Sequence, residues 1–365
     1  MAIEKIHIDQ FLKLSARCPV LDVRSPSEYK HAHVPGALNL ALFTDEERKV
    51  VGTVYKQQSR EDAIKIGLDY FGPKMRGMVE QAEEMMAGIA TAKELNGEPH
   101  PNCVLMHCWR GGMRSAGVAW LLDLYGFKVY TLIGGYKKFR HWVLEQFAKS
   151  YPVKILGGYT GSGKTEVLKE LEKRGEIIID LEEIACHKGS AFGALENQPQ
   201  PSQEMFENIL ATELHGKATG DEQMFPDRPI WMEDESQRIG NLNIPQSLWN
   251  TMRRSPVEFL EVPFAERLEN IVREYGNMHK QKIQSSIIRI QKRLGGLETK
   301  SALELLADGD IMECFRILLK YYDKWYRKGL NNRDSLHKLN KIECDEVDAD
   351  ANTLRLLKKE IPVIA

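Results

Sequence analysis

The 365-residue sequence contains no run of about eighteen apolar residues, so no segment reads as a membrane-spanning helix. Its opening, MAIEKIHIDQFLKL, has neither a long apolar core nor a small-residue cleavage site, which argues against a secretory signal. No two of its six cysteines (18, 103, 108, 186, 314, 344) form a CxxC pair. That argues against a zinc site and a disulfide framework, and predicts free thiols in a reducing cytoplasm. Neither charge is in marked excess: 50 basic and 52 acidic side chains leave a formal net charge of −2. Any nucleic-acid partner must therefore be met by a local basic patch. Internal repeats and low-complexity linkers are also missing. With 42% hydrophobic residues, the chain is long enough for two domains, each with its own core.

What is present is an alternation of strand-like and helix-like stretches. CPVLDVR, CVLMHC and KVYTLIGG predict strands. SAGVAWLLDLYG and YKKFRHWVLEQF predict helices, and residues 45–97 a polar helical stretch. Further on, VKILGG, EIIIDLEE, PIWMEDES and VEFLEVP predict four more strands, and about 265–340 reads as helical and basic. Near-continuous apolar strands alternating with helices predict an α/β class with parallel sheets covered on both faces. The expected domains are 1–147 and 148–365.

GYTGSGKT, Gly158 to Thr165, fills every fixed position of G-x-x-x-x-G-K-[ST] between a predicted strand and a predicted helix. Gly158, Thr160, Gly161, Ser162 and Gly163 would turn backbone N–H groups toward phosphate oxygens at a helix N-terminus. Lys164 would add a point charge, and Thr165 an oxygen for Mg²⁺. Acids at following strand ends, Asp180, Glu233 and Asp234 with Glu235 beside them, are candidates for the metal side. A nucleoside triphosphate or another diphosphate would fit the same cradle.

VLMHCWRGGMRSAG, residues 104–117, carries the second candidate site. A strand ends at Cys108, and the loop Trp109, Arg110, Gly111, Gly112, Met113, Arg114 and Ser115 leads into a helix. Inward amides and a helix N-terminus lower a thiol pKa, and Arg110 and Arg114 would add positive field, as a nucleophilic cysteine requires. Cys103 and His107 read as packed strand residues. His107-Cys108, five residues, then Arg114 also spells H-C-x5-R, a cysteine-phosphatase pattern. A phosphatase fused to a P-loop ATPase or kinase, and a nucleotide-switched RNA-binding module, are therefore alternatives.

LDVRSPSEYKHAHVPGALNL (21–40), with Asp22, Arg24, Glu28, Pro35, Gly36 and Asn39, resembles the opening of a rhodanese-like domain, and VYTLIGGYKKF (129–139) its close. VGTVYKQQSREDAIKIGL, CWRGGMRSAG, GGYTGSGKT, DLEEIACHKGSAFG, QPSQEMFEN and EDESQRIG together resemble the tRNA 2-selenouridine synthase family, a rhodanese-like domain followed by a P-loop domain. The resemblance implies a two-step exchange at the wobble 2-thiouridine of tRNA. Geranyl diphosphate would S-geranylate the 2-thio group, and selenium from selenophosphate would then replace it. It implies Cys108 as the group that carries selenium or binds its donor, the arginines of its loop on selenophosphate, and the P-loop on geranyl diphosphate. Mg²⁺ would be possible and no prosthetic group is implied. Lys292, Arg293, Lys324, Arg327 and Lys328, interleaved with Tyr321, Tyr322, Trp325 and Tyr326, are the candidate tRNA contacts.

Overall fold

The computed structural model describes residues 3–93, 102–189, 199–219, 228–333 and 338–358. Residues 94–97 of the expected polar helix, 190–193 of the DLEEIACHKGSAFG stretch and 334–337 of the basic helical region lie outside these. The chain divides into two compact units: Met1–Gln146 with Glu207–Thr212, and Phe147–Phe206 with Glu213–Ala365. Among the described residues no helix is long and apolar enough to cross a membrane.

Among the described residues the first unit has five strands: β1 (Glu4–Ile6), β2 (Val20–Asp22), β3 (Leu38–Asn39), β4 (Cys103–His107) and β5 (Lys128–Leu132). They pair in the order β1-β5-β4-β2-β3, every pair parallel. All five residues of the central β4 are buried, as expected where helices cover both faces. Val104 and Met106 pack with Val118, Ala119 and Leu122 of the helix Met113–Tyr125. The polar stretch after β3 forms helices Asp45–Gln57, Arg60–Phe71 and Met75–Lys93. Thr44 and Glu47 start the first of these with a capping box.

The expectation of six free thiols fails at one pair: Cys18 and Cys103 form a disulfide, their Cα atoms 5.5 Å apart. The cause is register. Val20 lies opposite Leu105 in the parallel pair β2–β4, so the two cysteines, each two residues earlier, also face each other. Their sequence separation of 85 hides the pairing. Cys108, Cys186, Cys314 and Cys344 are free.

The second unit contains β6 (Val153–Gly158), β7 (Ile177–Ile179), β8 (Ile230–Glu233), the short pair β9 (Arg238–Ile239) and β10 (Leu242–Asn243), β11 (Val257–Glu261) and β12 (Leu339–Glu343). Its main sheet runs β12-β11-β6-β8-β7, again all parallel. Helices Phe264–Tyr275, Lys280–Leu294, Gly296–Asp308 and Ile311–Asn331 share a separate core of Leu268, Ile283, Ile287, Leu306, Phe315 and Leu318. In each unit the middle strand of a five-stranded parallel sheet ends in a candidate loop. That is where such sheets place ligands.

Candidate functional sites

Cys108 follows β4 directly and is 3% exposed. Its sulfur accepts the Gly112 N–H at 3.3 Å and the Ser115 hydroxyl at 3.3 Å. The backbone N–H groups of Arg110 and Ser115 also bond to it. Burial pushes the thiol up, but the Ser115 hydroxyl and these amides outweigh burial and hold it below its ordinary value. The helix opens at Met113, two residues before Ser115, so Ser115 lies in the first turn with its hydroxyl facing the sulfur.

The expected field of two guanidinium groups is replaced by these dipoles. Arg114 turns to Glu28 instead, Nη1 at 2.6 Å from Oε2 and Nη2 at 3.3 Å from Oε1. Burial raises the Glu28 carboxyl, and Arg114 more than offsets it, leaving Glu28 below the usual carboxylate range. The Arg110 side chain, Trp109 and Met113 are exposed at the loop surface, the last two at 39% and 48%.

The residues of LDVRSPSEYKHAHVPGALNL build the floor of this loop. Arg24 donates from Nε to Asp22 Oδ2 at 2.9 Å and from Nη2 to the Ala32 carbonyl at 2.7 Å, both ionic side chains being buried. Its guanidinium lies 3.8 Å from the Tyr136 ring centroid. Asn39 donates to the Asp22 and Arg24 carbonyls at 2.8 and 2.9 Å. His107 is fully buried against Phe11 and Tyr136, as expected of a packed strand residue. Sequence reasoning missed the part played by Gly135. It has φ +59, and a Cβ there would lie 2.4 Å from both the Cys108 carbonyl oxygen and the Gly111 nitrogen. Tyr136 N–H then donates to the Cys108 carbonyl at 2.9 Å, closing the turn from behind.

In the second unit β6 ends at Gly158, and the helix Lys164–Lys173 starts behind Gly163. Gly161 has φ +83, and a Cβ there would meet the Arg267 carbonyl oxygen at 2.8 Å, so no other residue fits without movement. Lys164 Nζ donates to the Gly158 carbonyl at 3.1 Å. A cavity of about 550 Å³ opens from this loop.

The four candidate acids separate. Glu233 is 1% exposed and bonds the Thr165 hydroxyl, while its Oε1 has no hydrogen-bond partner among the described residues. Asp234 is taken up by structure: it accepts the Tyr326 hydroxyl at 2.6 Å and pairs with Arg333. Asp180 caps the short helix Leu181–Ile184, accepting the Glu183 N–H at 2.8 Å. The candidate Glu235 stays with Glu233, and Glu182, not a candidate, joins them, one oxygen each from Glu182, Glu233 and Glu235 lying within 4.8 Å of one another. Burial, then the charge of Glu182, pushes Glu233 up to about 8, with Lys164 acting against it. Burial and mutual repulsion raise Glu182 and Glu235 as well. Hard carboxylate oxygens beside the Thr165 hydroxyl fit Mg²⁺, whose charge would relieve this repulsion. Glu182 lies within a stretch the sequence marked, but nothing local says that its side chain reaches the P-loop.

The five candidate RNA contacts fall in three places. Lys324, Arg327 and Lys328 line a groove of about 670 Å³ with Arg316 and Lys320, all on one helix. Arg293 instead stacks on Trp325, 5.5 Å from its ring centroid, at the P-loop cavity. Lys292 lies in a separate depression with Lys300.

Residues 7–141 match the rhodanese-like domain, and residues 151–349 the tRNA 2-selenouridine synthase AAA domain. Among relatives named tRNA 2-selenouridine synthase, that of Bdellovibrio bacteriovorus is 32% identical over 91% of this chain and 94% of its own length. That of Sulfurovum sp. is 34% identical over 84% and 87%, and that of Cupriavidus pinatubonensis 38% identical over 70% and 66%. With matches that run through both units and nearly the full length of a relative, this chain belongs to the tRNA 2-selenouridine synthase family.

Proposed function

We propose that this enzyme exchanges the 2-thio sulfur of the wobble uridine in tRNA for selenium, through an S-geranyl intermediate. The observation that carries the selenium step is the Cys108 sulfur, held toward its thiolate form by amides and the Ser115 hydroxyl. In the first step the 2-thio sulfur attacks C1 of geranyl diphosphate, the C–O bond breaks and diphosphate leaves. The P-loop amides and Lys164 would hold that diphosphate and its developing charge. Thr165, Glu233, Glu182 and Glu235 would hold Mg²⁺, which supplies charge neutralisation at the leaving oxygen when bound. In the second step a C2–Se bond forms, the C2–S bond breaks and geranylthiol departs with a proton. Selenophosphate supplies the selenium, and its phosphoryl group ends as phosphate by taking up water. Cys108 engages this donor in its loop. The exposed Arg110 is the guanidinium free to reach the donor's oxygens, since Arg114 is held by Glu28.

For tRNA, the row Arg316, Lys320, Lys324 and Arg327 suits phosphates along one strand. The test of the whole scheme is mass spectrometry of wobble nucleosides after incubation with 2-thiouridine tRNA, geranyl diphosphate and selenophosphate. Wild type yields 2-selenouridine, and Cys108→Ala stops at the S-geranyl nucleoside. Normal selenonucleoside from Cys108→Ala would remove the thiolate from the scheme, and no S-geranyl nucleoside from either protein would remove the first step.

A further inference from the structure

The unit that carries Cys108 includes a short segment from far along the chain, Glu207–Thr212. It lies in the helix Gln203–Thr219, and one of its residues, Asn208, is fully buried. A buried primary amide is costly unless its donors and acceptor are paired. Asn208 meets that demand. Its Nδ2 donates to the His33 carbonyl and to the Tyr136 hydroxyl, both at 2.8 Å. Its Oδ1 accepts from Arg140 Nη1 at 2.6 Å, and Arg140 Nη2 donates to Glu207 Oε2 at 2.6 Å. Asparagine suits the position because it offers two donors and an acceptor on one short side chain.

Tyr136 connects this cluster to the sulfur. It stands at the start of the helix Gly135–Gln146 and is fully buried. Its N–H and that of Lys137 donate to the carbonyls of Cys108 and Trp109, each at 2.9 Å. The first turn of this helix therefore holds the first two residues of the cysteine loop. The Tyr136 ring packs on Trp109, centroids 5.6 Å apart, and lies 3.8 Å from the Arg24 guanidinium. A tyrosine has two side-chain torsions between backbone and ring, so fixing its backbone and its hydroxyl together leaves the ring one place to stand.

We infer that Asn208 is a positioning residue for the Cys108 loop: by clamping the Tyr136 hydroxyl, it fixes the wall that keeps the loop's amides aimed at the sulfur. The inference rests on the geometry of the loop alone and holds whatever the sulfur reacts with. Without the amide, Tyr136 loses its anchor at the far end of the ring. The Cys108 carbonyl, held by the Tyr136 N–H, moves with it, and the contacts of Gly112 and Ser115 with the sulfur loosen.

The test is the pH dependence of iodoacetamide alkylation in the full chain, with the Cys108 peptide followed by mass spectrometry. Cys186, a free thiol outside the loop, is the internal control. Asn208→Ala should raise the Cys108 midpoint by about half a unit to one unit, roughly the worth of one hydrogen bond to the thiolate, and leave Cys186 unchanged. Tyr136→Phe keeps the ring and removes only the clamped hydroxyl. It should reproduce the shift, and the double variant should add nothing further, because both substitutions break one link. The charged and titratable groups around the loop are Asp22 with Arg24 and His107, Glu28 with Arg114, and Arg110. Neither substitution touches them, and Arg140 keeps Glu207, so a shift reports placement rather than charge. A wild-type Cys108 midpoint in either variant would overturn the inference. So would equal shifts at Cys108 and Cys186, which would mark a general loosening, or shifts that add in the double variant. If Asn208→Ala does not fold, Tyr136→Phe alone decides.

Discussion

The cysteine loop and the P-loop use the same backbone device and load it in opposite ways. Each leaves the middle strand of a five-stranded parallel sheet and runs through glycines into a helix. In the first, the cradle already surrounds a group of its own, the Cys108 sulfur, and Arg114 of the same loop is paired with Glu28. In the second, Lys164 faces three crowded carboxylates whose oxygens lie within 4.8 Å of one another. One loop is filled by its own sulfur, and the other sets three crowded acids beside a lysine. The contrast teaches that a glycine-rich strand–helix turn sets only the sign of its potential. The side chains around it decide what it can hold.

The largest expected break in this contrast is Lys164→Ala. Removing the P-loop lysine should slow S-geranylation about a hundredfold, the value of a positioned charge on a leaving group. Cys108 alkylation by iodoacetamide should stay unchanged, and an equal loss in both assays would defeat the separation of roles. Next in size is the effect of Mg²⁺ on folding. Glu233, raised to about 8 in the fold, is ordinary when unfolded. Below the ordinary carboxylate range both states are protonated and nothing is lost. As pH rises toward 8 the unfolded chain releases a proton that the fold retains, so stability falls, and the fall is complete above about 8. Mg²⁺ should restore on the order of 2 kcal/mol at pH 8.5 and almost nothing at pH 5. Urea midpoints with and without MgCl₂ measure this, and a pH-independent Mg²⁺ effect would refute it.

Smaller effects distinguish what ionises the thiol. Ser115→Ala removes a hydrogen bond to sulfur, so the midpoint of the alkylation pH profile should move upward and the rate at pH 7 fall about threefold to tenfold. Removing Glu28 and Arg114 together as glutamines should change that rate by less than about twofold, because the pair already cancels. A larger drop than for Ser115→Ala would restore the arginine to the role the sequence suggested.

The two loops were also the most legible parts of the sequence. Both lie within one short stretch between a continuous apolar strand and a helix, and local spacing suffices to find them. Contacts made across the fold were not legible. Arg114 meets Glu28 from 86 residues away, and Cys18 meets Cys103 only through the register of β2 on β4. Glu182 joins Glu233 through the packing of a short helix, while Asp180, nearer the end of β7, is used as its cap. β12 escaped for another reason. As an edge strand with only Ile342 buried, LNKIE lacks the apolar run that marks the interior strands.

The helix Ile311–Asn331 carries basic side chains on one side and an apolar stripe on another, and Tyr326 ties it to the strand end at Gly158. Deleting a single residue ahead of Tyr326 would rotate the preceding turns by about 100° relative to that tether. Lysines would then swing into the helical core and rings out to solvent. Frame-preserving length is thus a stricter demand on this segment than the identity of any one of its residues, and point substitutions there should be survivable where one-residue deletions are not.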